Sequence, residues 1–143
     1  MEVFVDTSAW FRYVVAGRSA SEDAEHRGVR EAVQGLLRGG ARLVTTNLLL
    51  AETHQLLLVR TRRETARAFL SAFPATGVEV VWSDEALERR AVEDWIDRFS
   101  DQGFSLADGV SFAVMAERRV RRALTLDRHF LVAGFEPLPL EAS

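Results

Sequence analysis

The 143-residue chain contains neither cysteine nor lysine. Without a thiol, disulfides, zinc-thiolate sites, iron-sulfur clusters and thiol nucleophiles are excluded. Without an ε-amine, Walker-type phosphate binding and Schiff-base catalysis lose their usual residue. All 18 basic residues are therefore arginine, and against 21 acidic ones they leave a net charge of only -3. The chain as a whole lacks the basic footprint common in nucleic-acid binders, so any such contact must come from local arginine clusters. No apolar run approaches a membrane span. The opening MEVFVDTSAW meets an acid at once, with no basic flank before a long apolar stretch, so it does not read as a secretory signal, and a cytoplasmic location is expected. What is present, 48% hydrophobic and 27% charged residues, is the balance of a globular protein, and the length suits a single domain over residues 1–143.

Strand and helix patterns alternate from end to end. EVFV is a short apolar strand running into a helix at DTSAWFRYVV; a polar loop GRSASEDAE precedes a helix HRGVREAVQGLLRGG that ends on glycine, followed by a strand ARLVT. TNLLLAETHQLLLVR and RRETARAFLSAF read as helices, VEVVW as a strand, and SDEALERRAVEDWIDRF as a helix with an acidic first turn. SLADGVSFAVMAERRV (helix), RALTL (strand), DRHFLVAG (short helix) and FEPLPL (strand or extended tail) complete the chain. Such alternation predicts an α/β domain, a mostly parallel sheet covered by helices on both faces, with its chemistry at the carboxyl ends of the strands.

Four carboxylates stand out. Asp6 and Asp127 follow strands, and Asp108 lies three residues after Ser105 at the start of a helix. Each has a bland explanation as a helix cap. Glu52 has Leu48, Leu49 and Leu56 three or four residues away on its helix, so it is expected to point into an apolar face, where a carboxylate needs an arginine, such as Arg60 or Arg63, or a metal. Jointly, the four could converge at one edge of the sheet. Such a cluster repels itself unless a cation is present, and oxygen-only ligands select magnesium, manganese or calcium over zinc or copper.

Other features carry less. His26, His54 and His129 show no paired metal-binding spacing, and His129, close to Asp127, is assigned a surface or packing role with a substrate contact as the alternative; no G-x-S-x-G elbow is present. RTRRETAR and ERRVRR are the densest basic stretches. The second, with Arg118, Arg119, Arg121 and Arg122, is either a solvated helix end or an RNA-backbone clamp. Trp10, Phe11, Tyr13, Trp95 and Phe99 read as core, with a partner surface as the alternative.

VFVDTSAW, LLLAETHQLL and FSLADGVSFAVMAERRVRRALTLDRHFLVAGFEPL together resemble the VapC-type PIN-domain ribonucleases, toxins of type II toxin-antitoxin systems. The resemblance covers nearly the whole chain. Its most specific part joins S-x-x-D, S-F-A-V-M and T-x-D-x-H-F. It implies a three-layer α/β/α PIN-like fold with a five-stranded parallel sheet in the order 3-2-1-4-5. It also implies that Asp6, Glu52, Asp108 and Asp127 form the acidic quartet holding one or two Mg2+ or Mn2+ ions, supported by the hydroxyls of Ser8 and Thr125. The implied activity is endoribonuclease cleavage by metal-activated water with no covalent intermediate; the implied partners are an RNA substrate, a small antitoxin protein and a second copy of the chain. Gly109 stands where the family often carries a larger residue. A haloacid-dehalogenase-like phosphatase would need an acid where Ser8 stands, and it and a receiver domain both rely on lysine. A non-catalytic PIN-fold RNA-binding or scaffold module is the alternative, against which the intact quartet argues.

Overall fold

The computed structural model describes residues 1–139. In chain order the elements are strand β1 (Glu2–Val5), helices α1 (Thr7–Val14) and α2 (Ala20–Arg38), strand β2 (Arg42–Thr46), helices α3 (Asn47–Arg60) and α4 (Arg63–Ala72), and strand β3 (Glu79–Val81). Helix α5 (Glu85–Arg90) runs into a π-helical segment (Ala91–Ile96), and α6 (Leu106–Arg118), β4 (Arg122–Leu124), α7 (His129–Val132) and β5 (Glu136–Leu138) follow. The sheet has five strands in the order β3-β2-β1-β4-β5, and every neighbouring pair is parallel. This is the expected α/β sheet and the expected order.

The apolar run at the start of the chain becomes the central strand because a parallel sheet covered on both faces needs side chains buried in both directions. Phe4 packs with Leu87, Val110, Phe112 and Phe130 beneath α5, α6 and α7, while its neighbours Val3 and Val5 pack on the opposite face with Ala9, Trp10, Val29, Val33 and Phe73. Phe4, Phe112 and Phe130 are fully buried, each such burial contributing about 2–3 kcal/mol. Trp10 meets Phe73 edge-on, and Trp95 stacks on Phe99 and packs against Phe112 and Phe135. Trp10 and Phe73 are buried in the core, and Trp95, Phe99 and Phe135 pack half-buried against it.

Two elements depart from the sequence reading. Helix α2 begins at Ala20, six residues before the expected start, because Ser19 caps it by accepting from the Glu22 amide. The polar stretch SEDAE is thus helical rather than a loop, and Val29 and Val33, with Ala32 and Leu36 beside them, pack the helix against the core. The long helix expected over residues 83–99 is α5 followed by the π-helical turns. Gly109 of α6 lies against this segment so closely that an added Cβ would sit 3.0 Å from the Ala91 carbonyl oxygen. A larger residue here would push α6 and the π-helical segment apart. Leu140, the last residue of the expected terminal strand, lies outside the described residues.

Candidate active site

Asp6 leaves the carboxyl end of β1 and caps α1, and it is only 4% exposed. Its Oδ2 accepts from Ser8 Oγ at 2.8 Å and from Thr125 Oγ1 at 3.0 Å. Those hydroxyls in turn accept from amides of the chain after β4: Leu126 N donates to Ser8 Oγ at 2.8 Å and Asp127 N to Thr125 Oγ1 at 2.9 Å. One hydroxyl network therefore clamps the end of β1 to the end of β4 and fixes the orientation of the first acid.

Asp108 is held by a capping box at the start of α6: Ser105 Oγ accepts from its amide, and its Oδ2 accepts from the Ser105 amide, both at 3.1 Å. The same Oδ2 lies 3.1 Å from His129 Nδ1. Since a carboxylate only accepts, His129 presents Nδ1–H to it. Asp127 accepts from the His129 amide through Oδ1 at 2.9 Å. In Asp108 and Asp127 alike, one oxygen takes the protein's hydrogen bonds and the other has no such partner among the described residues. For Asp108, capping and site formation are thus the same arrangement seen from two sides.

Glu52, on the second turn of α3, closes the group. Asp6, Glu52, Asp108 and Asp127 line one cavity of about 300 Å3, together with Thr7, Ser8, Phe11, Arg12, Glu25, Leu56, Arg60 and Leu126. The expectation that Glu52 is buried in an apolar face is corrected. The residue is exposed, as are Leu58 and Val59 beyond it, because the face of α3 that enters the core is Leu49, Thr53 and Leu57. Nor does Arg60 or Arg63 pair with it: among the described residues no arginine makes an ion pair with any of the four acids.

The electrostatics of the acids favour a cation. Burial pushes the Asp6 carboxyl up to about 6 despite the hydrogen bonds from Ser8, Thr125 and the Thr7 backbone, and the charge of Asp108 adds to the rise. Glu52 is raised as well, by loss of water at the cavity wall, against a hydrogen bond from Thr7 and with the charges of Asp108 and Asp127 reinforcing the rise. Asp108, Asp127 and His129 place ligand atoms within 4.8 Å of one another. Oxygen donors on four acids from four parts of the chain, mutually repelling and lacking an arginine partner, suit a hard divalent ion.

Residues 3–136 match the PIN domain family, and with the quartet assembled at the carboxyl edge of the sheet the assignment follows. The chain belongs to the PIN domain family. Within it the similarity is to the VapC type. A protein of Archaeoglobus fulgidus named VapC ribonuclease is 30% identical over 132 residues, covering 91% of this chain and 80% of that protein. The crystal structure of Mycobacterium tuberculosis VapC20, a toxin that cleaves the sarcin-ricin loop, superposes with a TM-score of 0.79 at 31% identity, covering 93% of this chain and 95% of that one. By fold and family the chain is thus a PIN domain of the VapC type.

Not every residue singled out in the PIN sequence reaches the site. The ERRVRR stretch connects the end of α6 to β4 and so sits at the amino ends of the strands, across the sheet from the acids. There Arg118 reaches both Glu2 and Glu79, at the starts of β1 and β3, and Arg122 pairs with Glu136 at the start of β5. Arg118, Arg119, Arg121 and Arg122 therefore do not form a clamp around a phosphate at the acidic cavity; Arg118 staples the far edge of the sheet. The arginines that do line the cavity are Arg12 and Arg60. His129 is the other revision: rather than a surface or packing residue, it bridges two of the acids while its ring meets Phe104 edge-on. The T-x-D-x-H spacing held that information, because a residue two beyond the acid can return to it once the helix starts there.

Proposed function

We propose that this PIN domain is a magnesium- or manganese-dependent endoribonuclease, the cytoplasmic toxin of a toxin-antitoxin pair, acting as a homodimer and restrained by a cognate antitoxin protein. The supporting observation is the convergence of Asp6, Glu52, Asp108 and Asp127 on one cavity, none of them ion-paired with an arginine among the described residues. These four would hold the metal. When bound, a divalent ion supplies charge neutralisation for the scissile phosphate and activates water for attack.

The chain's own residues do the rest. Ser8 and Thr125 lock Asp6 in one orientation. Both hydroxyl oxygens already accept backbone amides and donate to Asp6, which leaves neither as a free nucleophile and supports water in that role. His129 and the Ser105 amide hold one oxygen of Asp108 and leave the other for the cavity. His129→Ala is expected to weaken metal binding about tenfold, as loss of an orienting partner does. Calorimetric titration with Mn2+ checks this, and affinity equal to wild type would remove His129 from the site.

Incubating the protein with total cellular RNA, with Mg2+ or Mn2+ and with chelator, and mapping fragment ends by sequencing tests the proposal. The expected result is cleavage at a few sites only when metal is present. The RNA pool includes the ribosomal loop that the mycobacterial relative cleaves, so the same experiment reveals a shared target. No metal-dependent cleavage by antitoxin-free protein would reject the nuclease reading.

A further inference from the structure

The acidic cavity does not end at the acids. Its wall of Phe11, Arg12 and Arg60 is shared with an adjoining cavity of about 640 Å3 that continues past Val15, Arg18, Val59 and Thr61. The two together form a trench between the carboxyl ends of α1 and α3, lined by the four acids at the sheet edge and by Arg12, Arg18 and Arg60, with Glu22 and Glu25, beyond it. Arg12 and Arg60 approach the ring of Phe11, with guanidinium carbons 5.6 and 5.8 Å from its centroid, and Phe11 is itself buried. The ring gives both guanidiniums a platform.

Arg12 is partly engaged by the protein and Arg60 is not. Arg12, whose side chain is 14% exposed, has Glu25 at 3.7 Å from Nε and the Val15 carbonyl at 3.4 Å from Nη1, and its buried Nε has no hydrogen-bond partner. Arg60 makes no ion pair among the described residues. With Arg12 Nη2 and the whole Arg60 guanidinium free of protein partners among the described residues, the pair can meet an anion with several acceptor oxygens. The polarity of the trench specifies which anion: one that also presents a phosphodiester to the acids.

We infer that Arg12 and Arg60 form a subsite for the RNA backbone, binding a phosphate next to the one cleaved, so that a single strand runs from the acidic cavity over Phe11 toward Arg18. This rests on the ribonuclease reading and adds to it the path of the substrate. The subsite acts in binding, so its loss raises KM and leaves kcat and metal affinity near wild type. It also releases fewer ions on binding: each phosphate contact contributes about 0.7 to the salt slope for single strands.

The test uses a fluorescein-labelled 20-nucleotide single-stranded RNA in Mg2+, with Asp6→Asn as background to prevent cleavage, and anisotropy across a salt series. Arg60→Gln alters an exposed residue and Arg12→Lys keeps the charge while losing the fork, so neither depends on tolerating a buried deletion. Arg60→Gln is expected to weaken binding about fivefold and to flatten the salt slope, Arg12→Lys to weaken it with the slope retained, and Arg118→Gln at the opposite edge to change neither. In the cleaving protein, Arg60→Gln is expected to raise KM by a similar factor. If wild type cleaves RNA but Arg60→Gln and Arg12→Lys bind and cleave as wild type does, the subsite is wrong while the nuclease stands. If wild type neither binds nor cleaves, both readings fall together.

Discussion

Asp6→Asn is expected to reduce RNA cleavage about 1,000-fold or more, equivalent to about 4 kcal/mol of lost transition-state stabilisation, while making the metal-free protein more stable. The two effects have one origin. Asp6 is nearly buried, and its charge is opposed by burial and by Asp108, with only hydroxyl and amide hydrogen bonds in its favour. Asparagine keeps the shape and an acceptor for Ser8 and Thr125 but removes the charge, so it relieves the repulsion that a cation would otherwise relieve. Cleavage assays with the variant, paired with denaturant unfolding in chelator, measure both. A variant that lost activity and stability together would mean that Asp6 matters mainly as a cap of α1.

The second large effect is in the coupling of pH, metal and stability. The Asp6 carboxyl has a folded value of about 6 against an ordinary 3.8. Between those values the folded state holds a proton that the unfolded chain has released. Its contribution to stability is therefore greatest below about pH 4, declines as the pH rises, and is fully lost above pH 6, a change of about 3 kcal/mol. Glu52, raised in the same direction, adds to the decline. In chelator, the stability difference between Asp6→Asn and wild type should widen between pH 4 and 7. Saturating Mn2+ at pH 7 should then raise the wild-type melting temperature by about 10 °C at a hundredfold excess over its dissociation constant, and Asp6→Asn by much less. Melting curves at several pH values decide it: a metal-free difference that stays flat with pH would contradict the assigned state of Asp6.

The residues that were legible from the sequence are those whose signal is local. The apolar EVFV run followed by Asp6, and the S-x-x-D of Ser105 and Asp108, announce a strand end and a helix start in a handful of residues, and the structure realises both as written. Sheet order was not local and came only through family resemblance. Glu52 shows the limit: Leu48, Leu49 and Leu56 around it imply burial, yet α3 enters the core through Leu49, Thr53 and Leu57, and Glu52 itself stays exposed. A helix that is apolar on most of its circumference does not reveal which face is covered. The π-helical turns before Ile96 and the seat of Gly109 against Ala91 depend on how two helices meet, which no spacing records. The arginines show the same limit. ERRVRR is denser than the surroundings of Arg12 and Arg60, but density says nothing about which edge of a parallel sheet a segment occupies.

The site as a unit is tested most directly by calorimetric titration of Mn2+ into metal-free wild type and into Asp6→Asn, Glu52→Gln, Asp108→Asn and Asp127→Asn, with Asp101→Asn as a control outside the cavity. The expected result is binding to wild type and to the control, weakened about tenfold or more in each of the four cavity variants. Equal affinity in all six proteins, or none in wild type, would contradict a metal centre built from these carboxylates.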